Sequence, residues 1–169
     1  MNAGVAEMIT PREFVEITDW IEVLKPDGTL KKYLKNELNW DYRHCTDWQP
    51  GIIVRVGISW ELKPDDNILT QVREANKVRL SKQPLELPSC GSVFVNPPEK
   101  KAAQLIDSCG LKGFQIGQAQ VSLKHANFIV NLGGASAFDI WAVIQHVQKV
   151  VFEKTGVQLQ TEVVKLGRW

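Results

Sequence analysis

Between residues 52 and 62 (IIVRVGISWEL) the chain alternates, with Ile52, Val54, Val56, Ile58 and Trp60 all on one parity. Alternation of that length predicts a β-strand with one apolar face. No helical pattern precedes it. Residues 14–24 (FVEITDWIEVL) again alternate and are rich in β-branched and aromatic side chains, and Pro26-Asp27-Gly28 turns the chain into a third run, TLKKYL. An apolar sheet face needs a covering layer, and the first sixty residues contain no helix to supply one. These strands therefore read as part of a sheet whose remainder lies elsewhere.

The rest of the chain carries its own cover. Pro64 ends the first region. Asp65 or Asp66 can cap a helix reaching about residue 80, with Leu69, Val72, Ala75 and Arg79 at helical spacing. Residues 81–90 hold two prolines and read as extended loop, followed by a short strand over 92–95. Asn96-Pro97-Pro98 is expected to start a helix that Gly110 stops, and β segments are expected over 118–122 and 127–131. Ser136, with Asp139 three residues on, opens the longest helix as a capping box, and Gly156 closes it. Its expected buried stripe is Phe138, Trp141, Ile144 and Val151. A last strand over 157–166 changes parity midway and places Glu162 with the apolar pair Val164 and Leu166. The fold class is α+β: a β-rich segment (1–64), a connecting helix and loop (65–87), and a compact β-α-β-β-α-β unit (88–169).

Composition narrows the function classes. A net charge of +1 gives no electrostatic footprint for nucleic acid or an anionic membrane. No apolar run reaches the ~18 residues of a bilayer span, and MNAGVAEMITPREF lacks the features of a signal peptide. Cys45, Cys90 and Cys109 are too scattered for a disulfide framework. His44 and Cys45 are adjacent but lack a second pair, and His125 and His146 stand alone, so no metal site is expected. These features fit a reducing, cytoplasmic setting.

Familiar phosphate-binding, nucleophile-elbow and zinc motifs are missing, and Leu132-Gly133-Gly134-Ala135 reads only as a turn before a helix. The candidates are polar residues in apolar or glycine-punctuated settings. Ser92 follows Gly91 and precedes a strand; its hydroxyl can donate a proton, bind a ligand, or merely satisfy the backbone. Glu162, on an apolar parity, either has an ionic partner or stays protonated. Arg43 lies amid aromatics, where it can clamp a carboxylate or phosphate or simply pair with Asp41. Lys82 and Asn96 flank the same loop as Ser92 and can bind a phosphate or hydroxyl.

Several strings resemble a known family. Ser89-Cys90-Gly91-Ser92-Val93-Phe94-Val95-Asn96-Pro97, AAQLIDSCGLKG (102–113), GQAQVSLKHANFIVN (117–131) and LQTEVVKLG (159–167) are similar, in order, to segments of the UDP-N-acetylenolpyruvoylglucosamine reductases. So are Lys82-Gln83-Pro84, Asp41-Tyr42-Arg43 and Met1-Asn2-Ala3-Gly4. The resemblance implies a reductase that converts UDP-N-acetylglucosamine enolpyruvate to UDP-N-acetylmuramate for peptidoglycan synthesis, with NADPH as hydride donor and FAD as carrier. It implies Ser92 as proton donor, Glu162 and Arg43 as stabilisers of the developing carboxylate charge, and Lys82, Asn96 and Tyr42 as substrate-binding residues. Asn2, Ala3 and Gly4 are the implied flavin contacts. Val95, Leu123 and Val164 depart from the family's usual lysine, glutamate and arginine. The lack of a tyrosine-bearing insertion between Arg43 and Ser92 suggests the shorter subclass.

In that family the MNAG string follows a glycine-rich segment that cradles the flavin diphosphate, and here it comes first. The expectation is therefore that residues 1–64 are the C-terminal remnant of a FAD-binding domain and 88–169 the substrate-binding domain. The N-terminal FAD-binding portion would then be a missing partner, and the chain alone would neither hold FAD nor turn over. The alternative from another class is a free-standing, non-catalytic UDP-sugar-binding module.

Overall fold

A computed structural model describes residues 13–41, 44–45, 47, 51–61 and 65–167. Two compact units, Met1–Ala75 and Asn76–Trp169, divide the chain. Both mix helix and sheet.

The first unit is built on β1 (Thr18–Leu24), which pairs antiparallel with β2 (Leu30–Leu34) on one edge and β5 (Ile52–Ile58) on the other. A 3₁₀ turn over Phe14–Ile17 occupies the start of the expected first strand. The Pro26–Gly28 turn forms as expected: Gly28 N–H donates to Lys25 O at 2.9 Å, and Gly28 takes a φ of 82°. Two-residue strands β3 (Trp40–Asp41) and β4 (His44–Cys45) form a separate ribbon.

The single apolar face expected of β5 does not hold. Ile21 pairs with Val56 but Val23 pairs with Ile53, so the register slips by one residue at a β-bulge. Each side of the bulge thus sends a different parity inward, and Ile53 and Val56 pack on Ile21, Val23 and Leu38. Ile52, Val54, Ile58 and Trp60, four of the five residues expected inside, are exposed. A Cβ at Gly57 would collide with the Trp20 indole, so that ring fixes a glycine in the strand.

Helix α1 (Ile68–Lys82) starts after Asp65, whose carboxylate accepts from Asn67 N–H at 2.8 Å and from the Gln71 carboxamide at 2.8 Å. None of its residues is buried.

The second unit holds an antiparallel sheet in the order β6-β9-β8-β7: β6 Ser89–Ser92, β7 Gln115–Ile116, β8 Ala119–Val121 and β9 Phe128–Asn131. Helix α3 (Ala137–Thr155) packs on β7 and β8, and α2 (Ala102–Ser108) packs on α3. Val93, Phe94, Ile106, Val121, Ile144 and Val147 belong to its continuous core. The capping box on α3 is present: Ser136 Oγ accepts from Asp139 N–H at 3.1 Å, and Asp139 Oδ2 from Ser136 N–H at 2.9 Å. Gly156 closes the helix in the left-handed conformation, with a φ of 70°.

Three expectations are corrected here. The buried stripe of α3 is Val143, Ile144, Val147 and Val151, while Phe138 is 68% exposed. Phe138 stands nine residues before Val147, about two and a half turns, and so faces the opposite way. Helix α2 begins at Ala102 instead of Asn96, because Asn96 folds its side chain onto the helix start. The last strand shrinks to one bridge between Thr161 and Phe94, and the order becomes β-α-β-β-β-α before it. Val164 and Leu166, beyond that bridge and outside any strand, are 80% and 83% exposed.

Because Ser136 satisfies an otherwise unpaired N–H of α3, Ser136→Ala should lower the unfolding free energy of the second unit by about 1 kcal/mol, with Ser136→Asn retaining most of it. Urea unfolding followed by hydrogen exchange at α3 amides measures this; equal midpoints for wild type and Ser136→Ala would contradict it.

Candidate functional site

Strand β6 is irregular where the chemistry is expected. Ser89 faces Val130 and Ser92 faces Phe128, so the two strands lose register between them. Gly91 makes this possible with a φ of 81°; nothing lies within 4 Å of a Cβ built there, so the backbone conformation alone demands glycine. The bulge ends at Ser92, which is half-buried.

The next three residues pair with the tail. Val95 N–H donates to Gln160 O at 3.0 Å and Glu162 N–H donates to Val93 O at 2.8 Å, around the Phe94–Thr161 bridge. Glu162, also half-buried, is thus tied to the residue that follows Ser92. Two backbone hydrogen bonds thus bring the backbone position of Glu162 beside that of Val93, the residue after Ser92.

Cys90 reports on the same neighbourhood. Desolvation of its sulfur pushes the thiol pKa up, its own backbone N–H opposes the rise, and the negative charge of Glu162 adds to it. The carboxylate of Glu162 therefore reaches the β6 bulge electrostatically. Beside it a cavity of about 380 Å³ is lined by Ser89, Cys90, Trp141, Val163 and Lys165 among others, with the Lys165 ammonium 3.9 Å from the Trp141 ring centre.

The remaining candidates are placed as follows. Asn96 Oδ1 accepts from Ala102 N–H at 3.0 Å, so its carbonyl caps α2. Lys82 is the last residue of α1 and is exposed. Arg43, Tyr42, Asn2, Ala3 and Gly4 lie outside the described residues. Two side chains were missed in the sequence. Lys124 Nζ bridges Glu86 (3.0 Å) and Leu80 O (3.3 Å), which ties the turn after α1 to the β8–β9 loop. The Glu86 carboxyl is held below its usual range by its own backbone N–H and then by Lys124. Asn127 is buried within the sheet edge, and only its place in an otherwise apolar stretch (ANFIV) hinted at it.

For a flavin diphosphate, the glycine pair ahead of α3 would be the natural cradle among the described residues. Two amides of that turn are occupied: Gly133 N–H and the neighbouring Ala135 N–H both donate to Asn131 Oδ1, at 2.9 and 3.0 Å. That turn therefore does not fit a flavin diphosphate. Among the described residues, no cluster of three His, Cys, Asp or Glu side chains could hold a metal ion, and no helix is long and apolar enough to cross a membrane.

A four-stranded antiparallel sheet under two helices, carrying a hydroxyl and a carboxyl joined by a tail bridge, is the class of domain defined here. A family model described as "UDP-N-acetylenolpyruvoylglucosamine reductase, C-terminal domain" matches residues 83–166. Curated UDP-N-acetylenolpyruvoylglucosamine reductases from Pediococcus pentosaceus and Lactiplantibacillus plantarum are 43% and 46% identical over 99% of this chain. The chain spans about half the length of these relatives, 55% and 54%. The crystal structure of the Thermus caldophilus reductase (MurB) superposes with a TM-score of 0.75 at 34% identity, covering 94% of this chain and 57% of that one. The chain belongs to the UDP-N-acetylenolpyruvoylglucosamine reductase family, through its C-terminal domain.

The proximity of Glu162 to Cys90 has a measurable consequence. Removing the charge with Glu162→Gln should lower the Cys90 thiol pKa and speed its alkylation near pH 8, since the thiolate is the reacting form. Site-resolved alkylation across a pH series reads this; superimposable curves would place Glu162 too far away to act.

Proposed function

We propose that this chain is the C-terminal, substrate-binding part of a reductase that converts UDP-N-acetylglucosamine enolpyruvate to UDP-N-acetylmuramate. Residues 1–64 are the end of a FAD-binding domain, 65–87 a connecting helix and loop, and 88–169 the substrate-binding domain. The observation that carries the reading is the pairing of 93–95 with 160–162, which sets Ser92 and Glu162 on neighbouring backbone positions. The identity to curated reductases supports it.

Reduction of an enolpyruvyl double bond adds a hydride to one carbon and a proton to the other. FAD and NADPH, which the family resemblance implies, supply the hydride and would be held by residues outside those described, Asn2, Ala3 and Gly4 among them. Ser92 Oγ supplies the proton. Arg43, and Glu162 once it holds a proton in the substrate complex, steady the negative charge that develops on the substrate carboxylate as the double bond is lost. Lys82, Asn96 and Tyr42 hold the nucleotide-sugar. Asn96 can do so through its amide nitrogen, because its carbonyl oxygen is committed to Ala102. Since the chain spans about half the length of its relatives, it should bind a UDP-sugar but oxidise no NADPH by itself.

In a reductase carrying this chain as its C-terminal half, Ser92→Ala should slow turnover of the enolpyruvyl substrate by about 10²–10⁴-fold, the usual range for a positioned proton donor. Substrate affinity should change little, and Ser92→Cys should recover part of the loss. Steady-state kinetics with a direct binding measurement test this. Full turnover by Ser92→Ala would remove Ser92 from the reaction, and a loss explained wholly by weaker binding would make it a binding residue.

A further inference from the structure

We propose that Asn127 is the positioning residue that keeps the segment after Ser92 paired with the tail that carries Glu162, its carboxamide standing in for a strand neighbour that β9 lacks. The proposal rests on the reading of Ser92 as proton donor and Glu162 as charge stabiliser, but its geometry stands apart from that reading.

The β6–β9 ladder stops where Ser92 faces Phe128, because β9 begins at Phe128. Beyond that point the partner backbone turns away through His125 and Ala126, and the next residues of the β6 segment would have no sheet partner. Asn127 supplies one. Its backbone carbonyl accepts from Val93 N–H at 2.9 Å. Its side chain then reads both polar groups of Phe94: Oδ1 accepts from Phe94 N–H at 2.9 Å, and Nδ2 donates to Phe94 O at 2.8 Å. Asn127 is 4% exposed and Phe94 2%, so neither residue can turn to water instead.

The opposite edge of the same segment is the one that carries Glu162. Val93 O and Val95 N–H point to the tail and bond Glu162 and Gln160, leaving the N–H and C=O of Phe94 for Asn127 alone. Segment 92–95 is therefore held on alternate groups from its two edges, by Asn127 and by 160–162. Loss of the carboxamide would leave two buried backbone groups unpaired, which favours a twist of Phe94 toward other partners. That twist would unseat the tail and move Glu162 away from Ser92. Asparagine suits the position because one flat group carries an acceptor and a donor in the spacing of a peptide unit. Asparagine's own backbone N–H is used as well, on His125 Nδ1 at 3.3 Å.

Two measurements on the 169-residue chain test this. In Asn127→Ala, the amides of Val95 and Glu162 should lose about tenfold or more of their hydrogen-exchange protection while those of Ile144, Val147 and Val151 in α3 keep theirs. An equal loss at all five would make Asn127 an ordinary stability residue and overturn the proposal. In a double-mutant cycle on Cys90 alkylation, Glu162→Gln should shift the curve in the presence of Asn127 and leave it unmoved in Asn127→Ala. An equal shift in both backgrounds would overturn the proposal. Where Asn127→Ala does not fold, the unmutated chain decides: the Asn127 carboxamide protons should exchange in the same opening event as the Val95 and Glu162 amides. Free exchange of the carboxamide beside protected amides would overturn it. None of these readouts involves a UDP-sugar, so failure of the reductase reading would leave them standing, and their failure would leave that reading standing.

Discussion

The extended segment Val93–Phe94–Val95 is the constraint on which the candidate site depends. It lies in the core of the second unit, it follows a bulge that only Gly91 can make, and its polar backbone groups are satisfied from both edges. A buried strand with one edge unpaired would cost about 1–3 kcal/mol for each orphaned group, so tail and sheet are not optional partners. The consequence is positional. Whatever Ser92 and Glu162 do, they do it from backbone positions fixed by the same three residues.

The two units differ in how completely they bury what their sequences offer. In the second, capped helices cover the sheet and the core is continuous. In the first, Ile21, Val23 and Leu38 form the buried core among the described residues, while Ile52, Val54, Ile58 and Trp60 remain in solvent.

Features set by neighbours in sequence were legible. The Ser136–Asp139 box, the Gly156 stop and the Pro26–Gly28 turn are local chemistry, and each formed as read. The bulge in β5 was not legible, since a period of two carries no mark for an inserted residue, and it turned Ile52 and Val54 away from the face that Val56 takes. The start of α2 was misplaced because Asn96 reaches six residues forward, past any ordinary capping distance. As for the site, periodicity flagged Glu162 only as an acid on an apolar parity and Ser92 only as a hydroxyl after glycine. The backbone pairing of 93–95 with 160–162 is a long-range contact that local pattern carries no mark of. Asn127 escaped notice because a buried asparagine at a strand end looks, in sequence, like one on the surface.

The most direct test of the account is a titration of isotope-labelled chain with UDP-N-acetylglucosamine enolpyruvate, followed through backbone amide shifts. The account predicts saturable changes that converge on Ser92, Asn96 and Glu162 and on the amides that bridge 93–95 to 160–162. Saturable binding that leaves those residues unmoved, or no binding at all, would contradict it.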